Sequence, residues 1–552
     1  MKLVIVGGVA GGASAATRAR RLSESAQIVM FERGPDVSFA NCGLPYYVGG
    51  EIQDREKLLV TKPGLLRQGY RIDVRTRSEV VAIDRTQKLV RVRNLADATE
   101  YNETYDALIL APGAAPWKPP IEGVDAPGVF TLRNLEDVDR IKAVVDGGAG
   151  HAVVVGAGFI GVELAENFLR KGLRTTVVEL QDQVVPVVDR EMTTPLAEAL
   201  RSHGATLLLQ DSVEAIQKTP DGLTLRLKSG GALEADLVVL GVGVRPENVL
   251  AVQAGLEVGP RGGIKVDASM RTSDPSIFAV GDAVETREFP TGRPTQVPLA
   301  GPANRQGRIA ADNVFGRRSE FRGTQATAIV GFFEHVLAAT GQTERSLKRD
   351  GVPYYKVYVH GNHHAGYYPR AKPLSIKLLA SPETGTLLGA QVVGTEGVAD
   401  RANVLATALQ ARMTVRDLAE VELAYAPQFG SAKDPVNMAG FVASNVADGL
   451  DKQVHVEDWD TDLSSRAALI DVRTPKEFAA GAIPGAVNIP IDEIRERLSE
   501  IPRNRPIVVH CQVGMRGYMA GLILRNAGFE AYNLGGGYKT YRLHHPASTD
   551  HA

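Results

Sequence analysis

The sequence predicts an α/β protein of several domains, and three observations support this. An apolar strand runs into a glycine-rich turn and an alanine-rich helix at the start of the chain, and the same pattern recurs after residue 150. A further apolar strand near the end of the chain leads into a cysteine and a glycine-containing loop. At 552 residues the chain is about three to four times a typical domain, so several cores are expected.

Composition and charge exclude several classes of protein. The net charge of -2, from 62 basic and 64 acidic residues, gives no field that would attract nucleic acid or an anionic membrane. The chain opens on a strand-like run rather than a signal peptide, and no apolar stretch approaches a membrane span. Its two cysteines, Cys42 and Cys511, lack partners at disulfide or zinc spacing. We expect a cytoplasmic protein with no metal site and no nucleic-acid or membrane partner.

The first glycine turn lies in a βαβ dinucleotide-binding unit. It comprises the strand Lys2 to Val6, the turn Gly7 to Gly12, a helix, and a second strand that ends at Glu32. Val9 stands where the middle glycine of the G-x-G-x-x-G pattern belongs. Glu32 follows Gly12 by twenty residues, where an acid should bind a ribose.

The second unit matches the pattern more closely, with the turn Gly156 to Gly161 and a following strand that ends at Glu179. Two complete units predict two bound nucleotides, and a chance glycine turn explains both poorly. A carboxylate at Glu179 accepts hydrogen bonds from both adenosine ribose hydroxyls and repels a 2'-phosphate. The residues Leu180 to Asp182 supply no arginine for that phosphate, so NADH is favoured over NADPH.

A later apolar strand ends at Gly281 and Asp282, and this carboxylate can reach the polar side chain of a flavin or cap a helix. Together these features resemble the pyridine nucleotide-disulfide oxidoreductase family over residues 1 to about 447, and within it the coenzyme A disulfide reductase branch. The resemblance implies an FAD-binding domain (residues 1–118 and 245–322), an inserted NADH-binding domain (119–244), and an α+β dimerisation domain (323–447) that forms a homodimer. Both nucleotide-binding domains would be Rossmann-like.

The same resemblance assigns the residues of both cofactor sites. Those implied for FAD are Gly7, Ala10, Gly11, Gly12, Glu32, Arg33, Asn41, Cys42, Val80, Ala111, Gly113, Gly281, Asp282, Pro298 and Ala300. Those implied for NADH are Gly156, Gly158, Phe159, Ile160, Gly161, Glu163, Glu179 and Gly243. Glu163 resembles the acid that family members place near the nicotinamide, although a surface glutamate on a helix is the alternative.

Cys42 is the predicted nucleophile of this reductase. It lies shortly after Glu32 among small residues, where Gly43 permits close approach to a flavin ring, and a helix start or cation is expected to lower its pKa. No second cysteine follows closely, so the lone thiol must store oxidation as a sulfenic acid or as a mixed disulfide. Family members that use the sulfenic acid carry a histidine where this chain has Ala10, which disfavours peroxide chemistry.

The segments Gly366 to Pro369 and Ala424 to Pro427 also match the coenzyme A disulfide reductase branch. The resemblance implies that tyrosines of the partner subunit, Tyr425 and Tyr367, reach the cysteine and protonate the departing thiolate, although packing at the interface is the alternative. Arg370 departs from the glycine usual after the proline. Coenzyme A phosphates need local cations, and the predicted binding residues are Arg18, Arg21, Ser38, Asn41, Lys62, Arg67 and Arg71, although a solvated charged face is the alternative.

After an aspartate-rich linker (residues 448–462), residues 463–545 resemble the rhodanese family, an α/β domain, through Leu469 to Phe478, Gly485 to Pro490 and Ile507 to Gly517. Ala482 departs from the family's usual histidine. The resemblance implies that Cys511 carries sulfane sulfur as a persulfide, cradled by backbone N–H groups and Arg516. A buried structural cysteine is the alternative.

The fusion of these domains predicts an NADH-dependent persulfide reductase. Electrons would pass through FAD to Cys42 and reduce coenzyme A persulfide, a polysulfide or coenzyme A disulfide, and Cys511 would load or unload sulfur. One alternative is a plain coenzyme A disulfide reductase. Another is a non-catalytic sulfur carrier or redox sensor, which two complete nucleotide units disfavour.

Overall fold

The computed structural model describes residues 1–546 of the chain. The described residues form two compact units. The first comprises Met1–Asp182 and His203–Ala326, and the second comprises Gln183–Ser202 and the residues from Thr327 onward. Within the described residues, every helix is too short or too polar to cross a membrane.

The first unit contains a five-stranded parallel sheet with the first strand of the chain at its centre. Its register pairs Val4 with Val29 on one side and with Leu108 on the other, and these residues are buried. The order of strands is Ile277–Ala279, Ala107–Leu110, Lys2–Val6, Gln27–Phe31 and Asp73–Arg75. Because the strand order reverses at Lys2–Val6, a crevice for a nucleotide is expected at its carboxyl end.

A second parallel sheet of the same unit repeats this arrangement. Its strands, in order, are Thr206–Leu209, Arg174–Glu179, His151–Val155, Leu237–Leu240 and Val129–Thr131. The order again reverses at the strand that precedes the glycine turn, here His151–Val155. The two predicted nucleotide turns therefore occupy equivalent positions in two doubly wound sheets.

Smaller sheets and helices complete the first unit. The strands of the smaller sheets are Ser78–Asp84, Leu89–Asn94, Glu100–Thr104, Val213–Thr219, Gly222–Leu227, Ala232–Ala235, Ala114–Pro116, Val244–Pro246, Ile264–Lys265, Val284–Arg287 and Pro294–Thr295. The α-helices are Ala10–Leu22, Leu44–Gly49, Pro63–Tyr70, Leu135–Asp146, Phe159–Arg170, Val249–Gln253 and Ala300–Val314.

The second unit begins with a five-stranded antiparallel sheet. Its strands, in order, are Ala328–Phe332, His335–Gly341, Leu387–Gly394, Pro373–Ala380 and Tyr355–Asn362. The helices associated with it are Arg190–Ser202, Glu344–Asp350, Val398–Gln410, Val415–Glu420 and Pro435–Ala447. The helix Arg190–Ser202 lies within the residues predicted to form the NADH-binding domain, yet it packs against this sheet. Its side chains Met192 and Leu196 are fully buried.

A third parallel sheet ends the described chain. Its strands, in order, are Gln453–Val454, Ala531–Leu534, Ile507–His510, Ala468–Asp471 and Val487–Asn488. Its α-helices are Val456–Asp458, Ser464–Arg466, Pro475–Ala479, Met515–Asn526 and Gly537–His544. Two doubly wound sheets, an antiparallel α+β layer and a third parallel sheet confirm the predicted fold class.

The predicted linker over residues 448–462 is shorter in the structure. The strand Gln453–Val454 pairs in parallel with Ala531–Leu534 and so extends the third sheet. Val456 and Trp459 are buried in the core of the same domain. Because these apolar side chains anchor the segment, it begins the folded domain rather than spanning a gap.

Candidate functional site

The first glycine turn has the close packing that its glycines permit. Gly7 has a φ of +96°, and a Cβ at Gly12 would lie 1.9 Å from the carbonyl oxygen of Gly7. One carboxylate oxygen of Glu32 accepts a hydrogen bond from the backbone N–H of Gly8 at 2.8 Å. Ala10 and Gly11 form the first turn of the following helix, which in the described chain begins without a side-chain cap.

Other predicted FAD residues meet at the same edge of the sheet. Ala111 and Gly281 follow strands parallel to Lys2–Val6, with Gly113 and Asp282 close behind. Gly281 donates its N–H to Oε1 of Gln306 at 2.8 Å. Burial raises the pKa of Asp282, and Arg133 opposes this.

Five other predicted FAD residues have different surroundings. Arg33 donates to Glu247 at 2.6 Å, and Asn41 donates to the carbonyl oxygen of Arg133 at 3.1 Å. Pro298 and Ala300 are exposed at the start of the helix Ala300–Val314, and Val80 is buried within a smaller sheet. Sequence reasoning missed Gln306, Arg133 and Glu247, which carry no motif.

The second glycine turn repeats the geometry of the first. Gly156 has a φ of +101°, and a Cβ at Gly161 would lie 2.0 Å from its carbonyl oxygen. Glu179 accepts hydrogen bonds from the N–H groups of Ala157 at 2.7 Å and Gln181 at 2.8 Å. Gly158, Phe159 and Ile160 begin the helix, and Gly243, with a φ of +104°, follows the neighbouring strand.

Both turns fit a nucleotide pyrophosphate. In the described chain neither following helix is capped by a side chain, so its first N–H groups and dipole can bind an anion. A Cβ at Gly158 or Gly243 would meet no described atom within 4 Å, which leaves the loop open. Glu32 and Glu179 each accept a hydrogen bond from the adjacent glycine turn. A carboxylate in this position is typical of one that also binds a ribose hydroxyl.

Cys42 is an exposed free thiol just before the helix Leu44–Gly49. Its segment is tied to the first glycine turn, because Ser38 donates its N–H to the carbonyl oxygen of Gly8 at 2.9 Å. Contrary to the sequence-based expectation, the pKa of the Cys42 thiol is raised, first by desolvation and then by the carboxylates of Glu163 and Asp282. Neighbouring charge is therefore acidic rather than basic.

Glu163 and Tyr46 form a pair near this thiol. The hydroxyl of Tyr46 donates to Oε1 of Glu163 at 3.4 Å, and burial raises the pKa of Glu163 to about 7. Tyr46 lies four residues after Cys42, and its helix packs against the helix that carries Glu163. The structure thus places the predicted nicotinamide acid within electrostatic reach of the predicted nucleophile.

The predicted coenzyme A cations do not form one cluster of free charges. Arg18 forms an ion pair with Asp312 at 2.7 Å, and Lys62 pairs with Glu56. Arg67 donates to the carbonyl oxygen of Val74. The two remaining cations, Arg21 and Arg71, are exposed.

Tyr367 and Tyr425 come together on two loops of the second unit, with their hydroxyl oxygens 2.7 Å apart. Their exposed fractions are 76% and 47%. Arg370 has a φ of +70°, a left-handed conformation that favours glycine. This explains why glycine usually follows the proline in the family. Both phenols are therefore accessible to a ligand or to a second chain.

Cys511 lies at the end of the strand Ile507–His510, with 1% of its surface exposed. Gly514, with a φ of +101°, donates its N–H to the sulfur at 3.2 Å. Arg516 forms a two-pronged ion pair with Glu477 at 2.6 and 2.8 Å. Glu477 first, and then Cys511, raise the pKa of Arg516, so this guanidinium serves the loop as a fixed cation.

Two further residues support the Cys511 loop. The buried pair of Asp471 and Arg473 has N–O distances down to 2.6 Å, and Arg473 donates to the side chain of Gln512 at 3.1 Å. This pair and Glu477 lie within the segment Leu469 to Phe478 that resembles the rhodanese family, but the sequence did not predict the roles of Arg473 and Glu477 at the loop. The capping-box pattern Thr474-x-x-Glu477 could have placed Glu477 at the start of a helix, and Arg516 in the cysteine loop could have suggested its partner.

Two dinucleotide turns beside a lone exposed thiol define a nucleotide-dependent oxidoreductase. The pyridine nucleotide-disulphide oxidoreductase family matches residues 1–307, and its dimerisation domain matches residues 327–435. A rhodanese-like domain matches residues 452–544. The chain therefore belongs to the pyridine nucleotide-disulphide oxidoreductase family and carries a C-terminal rhodanese-like domain.

Three known proteins are similar over most of this chain. The coenzyme A disulfide reductase of Staphylococcus aureus (strain JH9) is 35% identical over 80% of this chain and 99% of that protein. The structure of the reduced CoADR-RHD of Bacillus anthracis is 47% identical, with a TM-score of 0.96 over 98% of both chains. The NAD-dependent persulfide reductase of A. fulgidus is 39% identical, with a TM-score of 0.92 over 98% of this chain and 100% of that one.

Proposed function

We propose that this chain is an NADH- and FAD-dependent reductase of coenzyme A persulfide, polysulfide or coenzyme A disulfide. Cys42 is the nucleophile, and Cys511 carries sulfane sulfur. The observation that carries the proposal is the pair of free thiols in two domains, one exposed near a dinucleotide turn and one cradled by a loop N–H. The names of the relatives agree with it, since they include a coenzyme A disulfide reductase and a persulfide reductase.

The chemistry at Cys42 begins with its thiolate. The thiolate attacks the inner sulfur of coenzyme A persulfide, forms a mixed disulfide with coenzyme A and releases hydrosulfide. Bound FAD would supply the two electrons, taken from NADH, that cleave this disulfide. Cys42 then regains its thiolate, and coenzyme A leaves as a thiolate that takes up one proton.

Protons are supplied by groups of this chain. Tyr425, with Tyr367 as its hydrogen-bond partner, protonates the departing coenzyme A thiolate across a homodimer interface. The neutral form of Glu163 lowers the negative charge near Cys42 and so favours the Cys42 thiolate. The Glu32 and Glu179 turns orient the two nucleotides.

The dimerisation domain supports a homodimer as the working form. The cytoplasm is the proposed compartment, because two catalytic thiols need reducing surroundings. A plain coenzyme A disulfide reductase is the second candidate, favoured by the name of the Staphylococcus aureus relative.

The experiment combines native mass spectrometry with turnover. A coenzyme A adduct on Cys42, and faster NADH oxidation with coenzyme A persulfide than with coenzyme A disulfide, are expected. Cys42→Ser should retain hydride transfer from NADH to FAD but lose sulfur reduction. Cys511→Ser should lose sulfur transfer from thiosulfate and keep reduction of a small persulfide. Wild-type persulfide turnover by Cys42→Ser would overturn the mechanism, and faster turnover on the disulfide would favour the second candidate.

A further inference from the structure

The last described helix, Gly537–His544, begins against the Cys511 loop. Tyr538 donates its N–H to the carbonyl oxygen of Cys511 at 2.7 Å, and Lys539 donates to that of Gln512 at 3.0 Å. Gly537 passes so close that a Cβ there would lie 2.3 Å from the Cys511 carbonyl oxygen. The start of this helix therefore fixes the backbone that carries the sulfur.

The same helix also contacts the antiparallel sheet of the dimerisation domain. Nε2 of His360 forms a hydrogen bond of 2.8 Å with the hydroxyl of Thr540, and Nδ1 forms one of 2.8 Å with Ser375. A Cβ at Gly536 would lie 2.8 Å from that of Tyr358, on the same strand as His360. His360 thus contacts the helix two residues after Tyr538, whose N–H bonds to Cys511.

Buried charges surround this contact and hold the two domains in one arrangement. Lys356 pairs with Glu344 at 2.9 Å and, in the rhodanese-like domain, with Glu457 at 2.8 Å. The hydroxyl of Thr194 donates to the carbonyl oxygen of Leu543 at 2.7 Å. Separating the domains would break the Lys356–Glu457 ion pair and the Thr194–Leu543 hydrogen bond, so more than the His360 contact holds the rhodanese-like domain in place.

We propose that the dimerisation domain completes the Cys511 site, with His360 as a positioning residue that holds the cysteine loop through the helix Gly537–His544. Sulfur transfer at Cys511 then depends on a side chain outside the rhodanese-like domain. The proposal deepens the proposed function, because it assumes that Cys511 carries sulfur. Desolvation first, and then Lys539, lower the pKa of His360, so one ring nitrogen of the neutral imidazole donates and the other accepts.

The test uses the full-length protein and two readouts. The first is iodoacetamide alkylation of Cys511 at several pH values, with Cys42 in the same molecule as the internal reference. The second is sulfur transfer from thiosulfate to cyanide. His360→Leu should lower sulfur transfer about tenfold or more and change alkylation at Cys511 alone, because small displacements of a reacting group are costly.

Three further variants sharpen the test. Thr540→Val removes the same hydrogen bond from the helix side and should reproduce the effect. His360→Gln keeps an amide that can bond to Thr540 and should recover much of the activity. Tyr355→Phe is the matched control, since it removes a 3.3 Å hydrogen bond to Ala443 from the same strand without reaching the rhodanese-like domain.

Wild-type sulfur transfer and Cys511 alkylation in His360→Leu and Thr540→Val would overturn the proposal. Altered alkylation at both cysteines in His360→Leu would mean general unfolding, and Thr540→Val then decides. If alkylation of Thr540→Val changes at Cys511 alone, the proposal is supported. If it does not change at Cys511, the proposal is overturned. If wild-type Cys511 transfers no sulfur, the carrier role of the proposed function fails, whereas the alkylation comparison still tests His360.

Discussion

The hydroxyl oxygens of Tyr367 and Tyr425 lie 2.7 Å apart on two exposed loops. This hydrogen bond is the main cause that raises the pKa of Tyr367. Tyr367 therefore retains its proton near neutral pH. Within the pair, one hydroxyl can donate to a thiolate while the other donates to the phenolate that results. The pair has the chemistry of a proton donor.

Tyr425→Phe is expected to slow coenzyme A disulfide reduction by about tenfold or more, because a positioned acid typically contributes at least this much. Turnover of an aryl disulfide, whose leaving thiolate needs no proton, should change little. The measurement is kcat for both substrates. Tyr368→Phe, which alters an adjacent tyrosine outside the hydroxyl pair, is the control. Equal losses on both substrates would argue against a proton donor and for a role in packing.

Glu179→Ala is expected to raise KM for NADH and shift the preference between NADH and NADPH by about tenfold, because a carboxylate that repels the 2'-phosphate is removed. The loss of its bonds to Ala157 and Gln181 loosens the turn as well. Steady-state kinetics with both nucleotides provide the measurement. Glu214→Ala, a change of an exposed glutamate paired with Arg226, should leave the preference unchanged. If Glu179→Ala also leaves it unchanged, recognition of the ribose lies elsewhere.

The two nucleotide turns were predictable because each is local in sequence. Gly7 and Glu32 belong to one βαβ unit, and Gly156 and Glu179 belong to another. In each unit a short sequence pattern places the acid at the end of the second strand next to the glycine turn. The Cys511 loop was predictable for the same reason.

Contacts between distant residues were not predictable. Desolvation is the main cause that raises the pKa of Cys42, and Glu163 and Asp282 add to it because a helix and a turn from other parts of the chain approach the thiol. Arg18 and Lys62 looked like phosphate ligands, but the fold pairs them with Asp312 and Glu56. No local pattern encodes such partners.

Lys377→Met is expected to destabilise the protein by about 3–5 kcal/mol, because it removes the lysine that neutralises the buried carboxylates of Asp189 and Glu191. Lys377 is fully buried, and its Nζ lies 2.8 Å from Asp189 and 2.5 Å from both Glu191 and Glu344. Among the described residues these three acids have the spacing of a metal site, and the ammonium group already occupies it.

The measurement for Lys377→Met is the urea midpoint of the transition that unfolds the second unit. Lys348→Met is the matched control, because Lys348 lies 3.5 Å from the same Glu344 but is largely exposed and contributes little. A midpoint for Lys377→Met equal to that of the control would show that the buried cluster is not stabilising.

Two histidines of the rhodanese-like domain, His455 and His510, should make the stability of the fold depend on pH. Burial is the main cause that lowers the pKa of His455 to about 3 and that of His510 to about 4, from an ordinary value of 6.5. A histidine with a depressed folded pKa gives stability that is fully present above pH 6.5 and is lost as pH falls toward the folded value. Each should therefore weaken the fold by about 1.4 kcal/mol per pH unit below about 6.

The carboxyl of Glu457, with a pKa lowered to about 2, begins to weaken the fold only below about pH 4.5. Glu163, with its raised pKa, acts in the opposite direction between 4.5 and about 7, so the informative quantity is a difference between variants. His455→Gln removes one of these titrating groups. Its unfolding free energy should fall less steeply than that of the wild type between about pH 6 and 4.5, and the two slopes should coincide above about pH 7.5. Urea unfolding at a series of pH values measures both slopes, and parallel curves throughout would mean that the fold does not hold His455 in its neutral form.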